Sequence, residues 1–161
     1  MVITFSEYAS LYDPIDGKLF NRLAFEAERY MNKLTTGIDG VKKLKVAFPV
    51  DEDSVMVVKH CAAKVVNILY QIQSLEATAM LERGLEKTEN GYKGKVVSSI
   101  SAGNESVSFS SGGAQKTLID TAMESPVARD NLIHKTIRDY LSGVCDANGV
   151  NLLYMGAYPY V

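Results

Sequence analysis

From Val55 to Ile72 an apolar residue returns every third or fourth position: Val55, Val58, Ala62, Val65, Leu69 and Ile72. That spacing puts all six on one side of an α-helix, whereas a strand would scatter them over both faces. His60, Lys64, Asn67, Gln71, Ser74 and Thr78 form the opposite stripe. Lys59, His60, Lys64, Asn67 and Gln71 interrupt this most apolar stretch of the chain, so it does not read as a membrane span. A helix running from near Asp51 into the early eighties must instead bury one side against other elements. Asp51, Glu52 and Asp53 sit where a helix N-terminus favours negative charge, and either aspartate suits the cap. They lack the ligand spacing and central glycine of a calcium loop.

Helices are readable on both sides of it. Phe5, Tyr8, Ala9 and Tyr12 predict a short helix over Phe5–Tyr12, broken by Pro14 and Gly17. Phe20, Leu23, Ala24, Ala27, Tyr30, Met31 and Leu34 predict a helix over Asp16–Leu34, stopped by Gly37 and Gly40. Phe25 falls among its polar residues, as a single exposed aromatic or as an anchor for another subunit. Thr35–Pro49 reads as a loop, with Lys42, Lys43 and Lys45 as a solvated face. A short helix is expected over Ala114–Met123. Ser125 as cap and Pro126 in the first turn start the last helix. Its core stripe is Ile133, Ile137, Tyr140, Leu141 and Val144, ended by Gly143 or Gly149. The tail "NLLYMGAYPYV" reads as a short strand or extended arm.

Between the long helix and the last two, "ERGLEKTENG" frays into a turn at Asn90 and Gly91. The segment "GKVVSSISAGNESVSFSSGG", Gly94 to Gly113, then changes the period from helical to alternating. A turn at Gly103-Asn104 makes it a β-hairpin over about 94–111. Val96, Ile100, Val107 and Phe109 share one face, and Ser99, Ser101, Ser106 and Ser108 share the other. A lone two-stranded ribbon is marginal in water, so the apolar face requires a cover. The fold class expected is mainly α: a small bundle of about four to five helices, one β-hairpin and a C-terminal strand or arm.

The 161 residues suit one domain, 1–161, without internal repeats. With 47% hydrophobic and 22% charged residues the chain belongs with globular proteins rather than disordered ones. A net charge of −2 without a basic run gives no footprint for tight nucleic-acid binding. The start "MVITFSEYAS" lacks a signal-peptide layout. Cys61 and Cys145 lack redox or metal spacing, which suits a reducing cytoplasm with free thiols.

No catalytic, cofactor-binding or metal-ligating residue is assigned. "GGAQKT" has Gln115 where a phosphate loop needs glycine before Lys116. His60 and Cys61 are adjacent and diverge on a helix. His134 has no ligand partner at a suitable spacing. An interaction protein therefore fits better than an enzyme.

The chain resembles the head–tail connector, or adaptor, proteins of tailed bacteriophages and prophages, over nearly its whole length. "FNRLAFEAERYMNKLTTG", Phe20 to Gly37, resembles the family's second helix. "VVSSISAGNESVSFS" resembles its ribbon, and "NLLYMGA", Asn151 to Ala157, its closing motif. Met155 stands where the family usually has Arg, and the segment before the ribbon is longer. The resemblance implies a structural virion-assembly protein that forms a ring under the capsid portal, joins head to tail and extends the DNA channel, without catalysis or cofactor. Implied partners are the portal protein, a neck or tail-completion protein and further copies of the chain, monomeric before assembly in some members. DNA would pass through without sequence-specific binding. The implied location is the host cytoplasm during assembly and then the neck of the virion. Interface candidates are Phe25, Ile100, Val107, Phe109, Leu152, Leu153, Tyr154 and Tyr158. The alternatives are a neck stopper or tail-completion protein, or a helical interaction module unrelated to phage.

Overall fold

The computed structural model describes residues 2–82, 85–88, 91–94 and 117–159. Six helices are described: α1 (Phe5–Ala9), α2 (Gly17–Thr35), α3 (Lys43–Val46), α4 (Glu52–Glu82), α5 (Leu118–Met123) and α6 (Pro126–Leu141). Local chemistry fixes most of their starts. Thr4 and Glu7 form a reciprocal capping box at α1. Asp16 accepts the Leu19 N–H at 2.9 Å at α2, and Asp51 accepts the Ser54 N–H at 2.9 Å at α4. Ser125 accepts the Ala128 N–H at 3.1 Å, and Pro126 occupies the first turn of α6. Gly143, with φ of 81°, turns the chain after α6.

α4 is the axis of the molecule, with α2 and α6 packed along it. Met31 of α2, Val58, Val65 and Val66 of α4, and Ile133, Ile137 and Leu141 of α6 are fully enclosed. Each large apolar side chain buried this way contributes roughly 1.5–3 kcal/mol. Ala24 and Ala27 of α2 and Ala62 and Ala63 of α4 are also buried, and such small side chains suit a close approach of two helices. Polar links tie the same helices together. Arg22 donates to Gln73 at 2.9 Å, Tyr30 to Asp130 at 2.7 Å, and Arg129 pairs with Glu76. By length and composition Glu52–Thr78 is apolar enough to cross a membrane, and half of that window is buried inside the protein. α1 lies across this group, with Tyr8 buried against Phe20 and Lys59 reaching Glu7 at 2.6 Å.

Several expectations change. α3 interrupts the segment read as a loop, and α1 stops at Ala9. Val55 is only half-buried and Tyr140 is exposed, so both leave the core stripes assigned to them. Two short strands, β1 (Leu85–Thr88) and β2 (Gly91–Gly94), pair antiparallel, with Leu85 opposite Gly94 and Thr88 opposite Gly91. They occupy the stretch read as a fraying helix end. The hairpin expected at 94–111 gains no support: only Gly94 belongs to a described strand, and 95–111 lie outside the described residues. The tail is an arm rather than a strand. Among the described residues its ladder contact is an isolated bridge between Cys145 and Asn151.

Candidate functional site

The sequence "TTGIDGVKKLK" carries the chain from α2 to α3 in a tight reversal. A bridge joins Thr36 to Lys42, and Gly40 adopts φ of 78°. Asp39 accepts the Val41 N–H at 3.1 Å, which holds the turn. α3 then turns Lys43 inward, where it is 0% exposed. Its ammonium donates to the carbonyls of Thr35 at 3.1 Å, Leu152 at 3.2 Å and Tyr154. A lysine has three donors, and here all three meet backbone acceptors. Burial lowers its pKa, while Asp146 and Asp39 act in the opposite direction.

Two of those carbonyls belong to the tail, so Lys43 fastens the C-terminal arm. The arm has its own anchor in Asp146. One carboxylate oxygen accepts the N–H groups of Asn148 and Val150, both at 2.9 Å. The other accepts the Tyr158 hydroxyl at 2.6 Å, and Asn148 donates to that hydroxyl at 2.8 Å. The far end returns to the α2–α3 turn. Ile38 N–H donates to the Met155 carbonyl at 2.9 Å, and Tyr158 N–H to Asp39 at 2.5 Å. That last bond, and then the one from Val41, hold the Asp39 carboxyl below its usual range. Gly37 lies so close to the arm that an added Cβ would stand 2.6 Å from the Gly156 carbonyl oxygen. The result is a clasp between residues 35–47 and 144–158, centred on a buried charge.

The candidate interface residues divide by exposure. Leu152 is 0% exposed and Tyr158 is 5% exposed, so both serve the chain's own interior. Leu153 is half-buried against the core, beside Leu34 and Arg138. Tyr154 is 49% exposed and Phe25 is 64% exposed, so these two keep surface for a partner. The clasp thus gathers Leu152, Leu153, Tyr154 and Tyr158, while Phe25 stands apart on α2. Ile100, Val107 and Phe109 lie outside the described residues. The sequence reading missed Lys43, Asp39 and Asp146. The solvated-face reading holds for Lys42 and Lys45, which are exposed, and fails for Lys43.

Other reactive groups stay apart from one another. His60 is exposed while Cys61 is buried, and burial pushes its thiol up to about 12. His134 is half-buried beside Tyr30, and desolvation lowers its pKa. Among the described residues, no three His, Cys, Asp or Glu side chains are placed to hold a metal ion. No protein-family model, curated protein or solved structure matches this chain.

Proposed function

We propose that the chain is a head–tail connector: a non-catalytic virion protein that forms a ring at the capsid portal, joins head to tail and extends the DNA channel. What supports the reading is the order of elements. A helix over Gly17–Thr35, a long apolar helix and a docked closing arm follow one another in the order of the resembled family. The clasp gives the arm a defined place, so Tyr154 and Met155 face outward from a fixed base. Where the family usually has Arg, this chain presents the exposed thioether of Met155, and an apolar contact replaces a charged one.

In this reading the segment 94–111 forms a hairpin whose apolar residues Ile100, Val107 and Phe109 meet the portal or the neighbouring subunit. DNA passes through the ring without sequence-specific contacts, and a neck or tail-completion protein docks beneath. Replacing Val107 and Phe109 together by Ser abolishes association with the portal protein encoded alongside, while far-ultraviolet circular dichroism stays that of the parent. Portal association at parental strength by the double variant contradicts this assignment of the segment.

A further inference from the structure

Two surfaces of the described molecule match each other in charge and in apolar character. The first is a groove along α2 and α3. Arg29, Lys33, Lys42 and Lys45 line it, with the exposed ring of Phe25 at its side. Glu28, 3.9 Å from Lys45, is the carboxylate in this lining, while Arg29 and Lys33 also border a neighbouring hollow with Glu26 and Asp130, so the basic excess lies at Lys42 and Lys45. The groove thus suits an anionic partner that also brings apolar surface.

The second surface lies between α1 and the first turn of α4. Glu52 and Asp53 stand there beside the exposed side chains of Leu11 and Met56. Its remaining ion pair is internal, because Glu7 and Lys59 meet at 2.6 Å. The acidic pair at the start of α4 is left facing outward, next to apolar side chains. The two surfaces share no residue and sit on different elements. Two unlike patches that fit each other on identical chains generate head-to-tail contacts, which close into a ring when the rotation allows.

We propose that the α2–α3 groove receives the acidic first turn of α4 from a second copy of this chain, with Phe25 set against Leu11 and Met56. The inference deepens the connector reading and rests on it. Phe25 supplies the desolvated anchor, and the charges fix register and orientation. An interface of this kind weakens with salt, because the rim charges are screened.

The test is sedimentation velocity of the full chain at low and high salt. The variants are Lys42→Glu with Lys45→Glu, Glu52→Lys with Asp53→Lys, and Phe25→Ser. All five positions are exposed, and circular dichroism checks that each variant keeps the parental helix content. Each charge reversal alone weakens self-association at least about tenfold, and mixing the two reversed chains restores it. Phe25→Ser weakens it at every salt concentration. Self-association indifferent to both reversals overturns the proposal. So does groove-dependent binding of duplex DNA by a chain that does not self-associate, which gives the groove to a polyanion. A monomeric wild type is taken to the portal, where a stacked ring built by the Lys42→Glu, Lys45→Glu chain alone removes this interface and keeps the connector reading. Charge-dependent self-association by a chain that ignores the portal does the reverse. A wild type that associates neither in solution nor on the portal overturns both.

Discussion

Lys43 shows how much one side chain can decide. Three backbone carbonyls depend on its ammonium, and two of them belong to residues more than a hundred positions away. Lys43→Met leaves those carbonyls without their ammonium donor. The expected cost is about 3 kcal/mol, read as a lower urea midpoint at an unchanged slope. Lys43→Arg does not rescue it, since a planar fork cannot aim at three carbonyls placed for an ammonium. A midpoint unchanged in Lys43→Met contradicts the clasp. Glu7 makes a second, pH-dependent case. Hydrogen bonds from Lys59, then from the N–H and hydroxyl of Thr4, hold its carboxyl at about 2 against an ordinary 4.5. A carboxyl depressed in the folded state contributes stability above its unfolded value, and that stability is lost as pH falls through the folded one. The side chain is more than a third exposed, so screening limits the effect at neutral pH to about 1 kcal/mol or less. Glu7→Gln is therefore slightly less stable than the parent at pH 7, and the difference closes between 4.5 and 2. A gap that persists below that window rules out this role for Glu7.

At the scale of elements, the arm and the α2–α3 turn form one unit. Gly37 is the tightest point between them. Gly37→Ala places a methyl group 2.6 Å from the Gly156 carbonyl, and a backbone atom cannot yield cheaply. The expected result is a displaced arm, read as faster chymotryptic cleavage after Tyr154 with α2, α4 and α6 retained. Cleavage at the parental rate means that the arm is not held through this contact. The same scale explains what could be read from the sequence. α2, α4 and α6 were legible because their starts are written locally, in Asp16, Asp51 and Ser125, and their buried sides repeat at helical spacing. Lys43 was not legible. It stands between Lys42 and Leu44 in a run that looks solvated, and its partner Leu152 lies 109 positions away. Asp39 and Asp146 were missed for the same reason, since each faces a partner brought in by the returning arm. Leu152 and Tyr158 stood among the interface candidates in the tail, and tertiary packing turns them inward. Periodicity cannot tell an inward-facing anchor from one offered to a partner. β1 and β2 escaped notice because "LEKT" and "GYKG" have neither alternation nor β-branched runs.

For the whole molecule, the proposed assembly sets copies head to tail, with the α2–α3 groove of one meeting the start of α4 of the next. α2, α4 and α6 share one core, so the body should dock as a unit and leave adaptation to the arm and to residues at its surface. The most direct measurement is electron microscopy of the purified chain mixed with the portal protein encoded beside it. The connector account predicts a second ring stacked coaxially on the portal, in which Phe25 lies at a contact between neighbouring copies. A folded chain that leaves the portal bare at saturating concentration contradicts it.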